Sequence, residues 1–189
     1  MTEWSRYYDA VGDDPRETLL DALERFEAPG VAADLGCGTG RDTVELLRRG
    51  WQVVAIDSEK EAIRRLRATT GDNERLTTQV AGYEDAVLPE GDLVNASWAL
   101  PFCRPEIFGV VWDRIVDSIR PGGRFAGQLF GDRDEWSIED EMTFHTRAEA
   151  EALFRVFEYE RFDEVEEDSE TVLKNPKHWH VFHVVARKL

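Results

Sequence analysis

The sequence predicts an α/β fold in which a mostly parallel sheet of seven strands carries helices on both faces and ends in an antiparallel hairpin. Short apolar runs alternate with segments of helical periodicity over residues 14–154, a pattern typical of parallel strands joined by helices. Two long strand-forming runs follow at 156–165 and 180–188, with an acidic connection between them. Because no helix separates these last two strands, they should pair antiparallel.

Capping residues and apolar runs set the boundaries of the individual elements. Asp14-Pro15 places an acidic cap and a proline at a helix start, and Ser58–Glu61 and Thr146–Glu149 have the spacing of capping boxes. Gly50 and the Pro-Gly-Gly segment 121–123 mark two helix ends. The predicted helices cover 14–26, 41–49, 58–68, 105–120 and 146–154. The predicted parallel strands cover 31–35, 53–56, 76–80, 92–96 and 124–130.

Length, composition and charge limit the possible functions. The 189 residues predict a single domain made of an N-terminal arm with the first helix (1–28), a core (31–130) and the terminal hairpin (156–188). The formal net charge of −16 predicts no nucleic-acid partner, because such binding depends on basic contacts to phosphates. The chain has no long apolar run, no signal sequence, and two cysteines outside any disulfide or metal spacing. We therefore expect a cytoplasmic protein with a small-molecule partner and no membrane partner, while the oligomeric state stays open.

A glycine-rich turn between the first strand and the next helix predicts a cofactor site. Asp34 ends the strand, and Gly36, Gly38 and Gly40 follow it before the helix begins. Glycines let a ligand approach the backbone closely, and amides at the helix N-terminus can bind an anionic group. The second strand ends at Asp57, whose carboxylate can accept hydrogen bonds from two ribose hydroxyls. Together these features predict a Rossmann-like fold that binds a ribose-containing cofactor.

Two cofactors fit this geometry, and the residue after the last glycine favours one of them. A dinucleotide such as NAD needs glycine or alanine at the position that Arg41 occupies, because a larger side chain crowds the helix against the strand. The remaining chain is also too short for a separate substrate domain. S-Adenosylmethionine has no pyrophosphate, and its ammonium and carboxylate would lie at the turn near Asp34. An NAD-type oxidoreductase and a non-catalytic S-adenosylmethionine-binding protein stay as alternatives.

Four segments resemble the motifs of class I methyltransferases. They are V-A-A-D-L-G-C-G-T-G-R-D-T at the glycine turn, V-V-A-I-D-S at the second strand, D-L-V-N-A-S-W-A-L at the fourth and I-R-P-G-G-R-F before the fifth. The variant G-R-D-T, followed by L-L-R-R-G-W-Q-V-V-A-I-D, is most similar to the tellurite-resistance-type small-molecule methyltransferases. The resemblance implies transfer of a methyl group from S-adenosylmethionine to a small molecule by direct displacement, with S-adenosylhomocysteine as the product.

The resemblance also implies roles for individual residues. Residues of the glycine turn would line the methionine part of the cofactor, and the acid after the second strand would bind its ribose. Residues after the second and third strands would lie near its adenine, and residues at the end of the fourth would lie under its sulfonium. An aromatic residue of the N-terminal arm would cover it, or else would simply pack there. The predicted cofactor-binding residues are Asp34, Gly36, Cys37, Gly38 and Gly40 at the methionine part; Asp57 at the ribose; Ser58, Tyr83 and Glu84 at the adenine; Asn95 and Ala96 under the sulfonium; and Tyr8 as the covering aromatic residue.

Methyl transfer needs alignment and exclusion of water, and a general base only if the nucleophile carries a proton. Ligands of such folds bind at the carboxyl ends of the parallel strands, and an antiparallel last strand begins at the same edge. We therefore predict that His178 and His180, which share one face of that strand, are catalytic. We predict that Trp98, Arg133 and Trp179 bind the substrate. The alternative is a polar strand end without function, and we predict no metal site, because two histidines lack a third ligand.

Overall fold

The computed structural model of the protein describes residues 3–189, apart from the side chains of Glu3 and Ser5. Over these residues, eight strands form one sheet. The strands are β1 (Val31–Leu35), β2 (Gln52–Asp57), β3 (Leu76–Val80), β4 (Gly91–Ala96), β5 (Ile119–Gly131), β6 (Phe144–His145), β7 (Phe157–Glu170) and β8 (Pro176–Lys188). The helices are α1 (Glu3–Ala10), α2 (Glu17–Leu23), α3 (Arg41–Arg48), α4 (Lys60–Thr70), α5 (Pro105–Ser118) and α6 (Arg147–Leu153).

The strands are ordered β3-β2-β1-β4-β5-β8-β7, with β6 beside the end of β5. Neighbours from β3 to β5 are parallel, whereas β8 is antiparallel to both β5 and β7. The predicted fold class is therefore confirmed, as a mostly parallel Rossmann-like sheet that ends in an antiparallel hairpin. The sequence does not predict β6, which is two residues long and pairs with Phe130 and Gly131, beyond the point where β4 ends.

The two predicted capping boxes have different outcomes. At α6, Thr146 accepts from the Glu149 N–H and the Glu149 side chain accepts from the Thr146 N–H, so this box is confirmed. The box at Ser58 is wrong, because α4 begins at Lys60 without a side-chain cap. The carboxylate that serves this turn belongs to the preceding residue, since Asp57 Oδ1 accepts from the Glu59 N–H at 2.8 Å. The polar residues near α4 are thus arranged around Asp57 and not around Ser58.

Helix α2 begins later and ends earlier than the predicted span 14–26. The residue before it, Arg16, has extended backbone and its side chain does not cap the helix. Its N–H instead donates to Asp42 Oδ1 of α3 at 2.8 Å. This bond ties the start of α2 to the helix that follows the glycine turn.

Two apolar cores, one on each face of the sheet, hold the strands in place. One contains Trp112, Phe125 and Phe154 under α5 and α6, and the other contains Leu46 and Leu66 from α3 and α4. Burial of aromatic and branched side chains of this size stabilises the sheet strongly. The ends of β1, β2 and β4 and the start of β8 consequently meet at one fixed edge. Across residues 3–189, none of the helices combines the length and the apolar character that a membrane crossing demands.

Candidate active site

One cavity of about 1490 Å³ lies at the carboxyl ends of the parallel strands, and its lining divides into two parts. One part, which we call the polar half, contains the glycine turn and the residues that follow β2 and β3. The other, which we call the aromatic half, is formed by side chains of β5, β8 and the segments after β4 and β5. The polar half includes Tyr8, Asp34, Gly36, Cys37, Gly38, Asp57, Ser58, Tyr83 and Glu84. The aromatic half includes Trp98, Phe130, Trp136, Trp179 and His183.

The three glycines of the turn share left-handed backbone angles but differ in what surrounds them. Gly36, Gly38 and Gly40 have φ of +71°, +54° and +95°, values that other residues rarely adopt. A Cβ on Gly36 would collide with Ala99, and a Cβ on Gly40 would collide with Leu66. At Gly38 the nearest atom to such a Cβ is 3.7 Å away, so the backbone there faces free volume. Gly36 and Gly38 line the cavity, whereas Gly40 packs against Leu66 outside the lining, and its ligand contact stays a prediction.

The carboxylate of Asp57 is fixed at the end of β2. Its Oδ2 accepts from the Gly38 N–H and its Oδ1 from the Glu59 N–H, both at 2.8 Å. Burial raises the pKa of this carboxyl, although the two backbone hydrogen bonds act in the opposite direction. Since an ionised carboxylate offers about four acceptor positions, two remain for a ligand. A ribose with two free hydroxyls fits this acceptor.

Two buried carboxylates share one amide behind the glycine turn. Asn95 Nδ2 donates to Asp34 Oδ1 and to Asp42 Oδ2, both at 2.9 Å, and Thr43 Oγ1 donates to Asp34 Oδ2. Burial, followed by the nearby charge of Asp42, raises the pKa of Asp34 to about 7, against the hydrogen bonds from Thr43 and Asn95. Asp34 is therefore a carboxyl group whose charge changes near neutral pH.

The residues that line the cavity after β4 come one to three positions beyond the strand, later than the predicted Asn95 and Ala96. Asn95 and Ala96 are fully buried and do not line the cavity. The Asn95 amide nitrogen is occupied by the carboxylates of Asp34 and Asp42. The lining residues are instead Ser97, Trp98 and Ala99. The direct contacts of Asn95 and Ala96 with a ligand therefore stay predictions.

The remaining predicted residues of the polar half are held by local contacts. The Tyr83 hydroxyl donates to the Ala99 carbonyl oxygen at 2.5 Å, which fixes its ring against the wall. Glu84 forms an exposed ion pair with Arg104 at 2.8 Å. In the N-terminal arm, Tyr8 is buried, and its ring lies beside the turn. Ser58 and Cys37 line the cavity as well.

Trp98 gives the aromatic half its shape. Its φ of +56° is uncommon for a bulky residue, and the Trp98 N–H donates to Gln128 Oε1 at 2.8 Å, which helps to hold this conformation. The ring lies edge-on to Trp179 and Phe130, with centroid distances of 5.5 and 5.9 Å. Trp136 extends the cluster at 5.7 Å from Trp179. Trp98 and Trp179 thus lie where the sequence predicts a substrate.

Three other residues of the predicted substrate region lie outside the cavity lining. His180 is fully buried behind Gly131, where its Nδ1 accepts from the Arg133 N–H and its Nε2 lies 2.9 Å from Glu164. His178 contacts acidic side chains of β7. The Arg133 guanidinium is paired with the same acidic strand. All three side chains lie on the opposite face of β8 from Trp179, so the structure separates them from the cavity lining. The catalytic roles of His178 and His180 and the substrate contact of Arg133 stay predictions. Nowhere in residues 3–189 are three or more His, Cys, Asp or Glu side chains grouped as a metal would need.

Sequence reasoning missed two residues that the structure brings to the aromatic half. His183 lines the cavity, and Gln128 lies beside it with only 2% of its surface exposed. The alternation of β8 already places His183 on the face opposite His178 and His180. What the sequence lacks is any sign of which face meets the cavity, since that depends on how β8 packs against β5.

Comparison with known proteins shows what the chain is similar to. Residues 32–123, just under half of the chain, match the model of a methyltransferase domain. The matched stretch begins in β1 and ends in β5, so it covers the glycine turn, Asp57 and Trp98.

The chain is similar to a curated methyltransferase over about half of its length. It is 37% identical over 102 residues to a probable cobalt-precorrin-6B C(15)-methyltransferase (decarboxylating) of Methanothermobacter thermautotrophicus, which covers 50% of this chain and 49% of the relative. The chain spans about half the length of the curated relatives it matches.

Solved structures share the fold of this chain at low sequence identity. TehB from Haemophilus influenzae superposes with a TM-score of 0.80 at 18% identity, over 92% of this chain and 62% of that one. The 1,6-didemethyltoxoflavin-N1-methyltransferase of Burkholderia thailandensis, solved with its substrate and S-adenosylhomocysteine, superposes with a TM-score of 0.69 at 24% identity, over 92% and 77% of the two chains. These likenesses establish the fold.

Proposed function

We propose that the protein transfers the methyl group of S-adenosylmethionine to a small-molecule acceptor. The observation that carries this proposal is the continuity of the polar and aromatic halves in one cavity. Its volume of about 1490 Å³ exceeds the roughly 300–1,000 Å³ of a pocket for one drug-sized ligand. A cofactor and an acceptor can therefore be bound side by side, with Ser97 and Trp98 at the junction.

In this proposal the polar half binds the cofactor. Asp57 accepts hydrogen bonds from the ribose, the backbone at Gly36 and Gly38 approaches the methionine part, and Asp34 lies on the side of its ammonium. Tyr8 covers the turn. When bound, the cofactor supplies an electrophilic methyl group on a sulfonium. The lining residues assigned to it are Tyr8, Asp34, Gly36, Cys37, Gly38, Asp57, Ser58, Tyr83 and Glu84.

The aromatic half holds the acceptor and excludes water. Trp98, Phe130 and Trp179 form edge-to-face contacts that leave little freedom to the rings, so they can fix the plane of a bound molecule. A displacement at carbon depends on such alignment and on desolvation of the nucleophile.

Charges around the cavity indicate what kind of acceptor enters. Six acidic side chains of the segment after β5 and of β7 line the cavity, namely Glu135, Glu139, Asp140, Glu141, Glu167 and Glu170, and the arginines in its lining are Arg16, Arg41 and Arg104. A lining with more acidic than basic side chains repels anions and attracts cations. We therefore propose a neutral or cationic small molecule as acceptor and no nucleic acid. The cytoplasmic location and the lack of a membrane partner stay predictions.

Calorimetry followed by a product search tests the proposed function. S-Adenosylmethionine and S-adenosylhomocysteine should bind, and NAD should not. With isotope-labelled S-adenosylmethionine and fractionated metabolite extracts, mass spectrometry should detect a labelled methyl group in a small molecule. Binding of S-adenosylhomocysteine without any labelled product would favour a non-catalytic binding protein. Binding of NAD without S-adenosylhomocysteine would favour the oxidoreductase and contradict the proposal.

A further inference from the structure

We propose that His183 acts as an uncharged hydrogen-bond donor to the methyl acceptor, and that Gln128 is the positioning residue that keeps its ring in this form. The acceptor class that follows is a flat, neutral molecule with an exposed lone pair, on a ring nitrogen or a carbonyl oxygen, beside the atom to be methylated. This inference rests on the proposed function, because it assumes an acceptor in the aromatic half.

His183 is placed for this role by the pairing of three strands. On β8 it lies opposite Gln128 of β5 and Asp163 of β7, so the three side chains are on one face of the sheet. The imidazole lines the cavity, and its centroid is 5.9 Å from that of the Trp98 ring. A hydrogen bond from this ring would therefore reach a molecule held against Trp98.

Gln128 has only one reasonable amide orientation. Its Oε1 is 2.8 Å from the Trp98 backbone nitrogen, and a backbone N–H can only donate. The oxygen must therefore point to Trp98, which turns Nε2 toward the other side. There the Gln128 Nε2 is 3.0 Å from Thr18 Oγ1 and 3.4 Å from His183 Nδ1. The two amide hydrogens thus serve one acceptor each.

This orientation selects the tautomer of His183. An amide nitrogen only donates, so Nδ1 of the imidazole must accept and carries no proton. A neutral ring then has its proton on Nε2. Among the side chains that the structure describes, none forms a hydrogen bond to His183 Nε2. The N–H of a ring that lines the cavity is therefore left for a ligand.

The surroundings of His183 keep the ring neutral. Burial lowers the pKa of its imidazole, and the positive charge of Arg161 on β7 acts in the same direction. Asp163 and Glu167 on β7 and Glu17 on α2 raise this pKa, but their effect is smaller. Protonation would also place an N–H on Nδ1 directly against the Gln128 amide. With its basic nitrogen occupied by Gln128, His183 donates and does not remove a proton.

Nitrogen NMR of ¹⁵N-histidine-labelled protein tests the state of the ring. Replacing each of His145, His178, His180 and His183 in turn assigns the signals. The wild-type His183 should show the neutral Nε2–H tautomer at pH 7.5. In Gln128→Glu the new carboxylate should draw the proton to Nδ1 and raise the pKa of the ring, while Gln52→Glu, an exposed change on β2, should alter neither. A wild-type ring that is cationic or protonated on Nδ1 would overturn the proposal, and this result needs no variant to fold.

A pair of fragments tests the acceptor class. Quinoline carries a ring-nitrogen lone pair, whereas indole, of similar shape, carries an N–H donor instead. With S-adenosylhomocysteine saturating, quinoline should bind about 2- to 10-fold more tightly than indole and should shift the His183 Nε2 signal, as expected for one hydrogen bond. His183→Phe should abolish the preference and retain binding. Equal affinities, tighter binding of indole, or no shift by quinoline would contradict the proposal. Failure of the proposed function would appear separately, as absent S-adenosylhomocysteine binding or absent methyl transfer.

Discussion

The polar and aromatic halves of the cavity are built in different ways. The polar half is shaped by the backbone, through left-handed glycines and through backbone N–H groups that donate to Asp57, together with a buried carboxylate network. The residues of these features lie within about 60 positions of one another in the sequence. The aromatic half is shaped by side chains from strands far apart in sequence, such as Trp98 and Trp179. A backbone-built site tolerates few changes, whereas a side-chain site can be altered one ring at a time. The first suits a constant cofactor and the second suits a variable acceptor.

The largest effect should follow from removing the Asp57 carboxylate from the polar half. Asp57→Ala removes a charged acceptor for the ribose hydroxyls, a loss of about 2–3 kcal/mol, which corresponds to a roughly 30- to 150-fold weaker affinity for S-adenosylhomocysteine. Calorimetry measures it. Asp85→Ala, which removes an exposed acid of the neighbouring loop, is the matched control and should bind normally. Wild-type affinity in a folded Asp57→Ala protein would remove this residue from the cofactor site.

A smaller and separate effect is expected in the aromatic half. Trp179→Ala should raise the KM for the acceptor found in the metabolite search about tenfold, because it removes a ring contact and leaves part of the pocket open to water. The affinity for S-adenosylhomocysteine should stay unchanged, and Trp179→Phe should restore most of the loss. Equal losses of cofactor and acceptor binding would mean that the two halves are not independent.

The protonation of Asp34 should make cofactor binding depend on pH. Burial and the charge of Asp42 raise the pKa of this carboxyl to about 7, and an ammonium group is attracted only by its ionised form. Affinity for S-adenosylmethionine should therefore fall about tenfold from pH 8 to pH 6. Calorimetry at several pH values should show this slope in the wild type and not in Asp34→Asn.

The raised pKa of Asp34 should also make the stability of the ligand-free protein depend on pH, in the direction opposite to that of cofactor affinity. The folded-state pKa of Asp34 lies above its ordinary value of 3.8, so the ligand-free fold loses stability as pH rises from about 4 through about 7. Asp34→Asn should then raise the Tm of the ligand-free protein at pH 8 more than at pH 5. A lower Tm for Asp34→Asn at pH 8 would show that the carboxylate is not destabilised in the fold.

The smallest effect should come from the face of β8 that turns away from the cavity. His178→Gln should leave both S-adenosylhomocysteine affinity and turnover per folded molecule unchanged, because the His178 ring contacts Asp168 and Glu166 of β7. A fall in turnover by the roughly 10²–10⁴-fold typical of a lost general base would restore the catalytic role that the sequence suggested.

The polar half of the cavity and the two faces of β8 show how far the sequence alone can predict the site. The polar half follows from local signals, because the glycine turn and Asp57 lie next to the strands that position them. Even there, a motif does not reveal that the Asn95 amide is occupied by two buried carboxylates or that Gly40 packs against Leu66. At β8 the sequence predicted the correct strand, edge and alternation. It could not reveal that Trp179 and His183, and not His178 and His180, face the cavity, because that register depends on pairing with β5, about 55 residues away.

The tryptophans around the cavity give the protein a built-in optical probe. The sequence contains six tryptophans, and Trp4, Trp98, Trp136 and Trp179 all line the cavity. Indole emission shifts to shorter wavelength when water leaves its surroundings, so the intrinsic fluorescence of this chain should respond to the contents of the cavity. The Trp98 and Trp179 rings, 5.5 Å apart and inclined by 80°, are also close and skewed enough for their near-ultraviolet transitions to couple. Binding of an acceptor against them would change the circular dichroism of unlabelled protein, which offers a direct way to screen compounds before any reaction product is known.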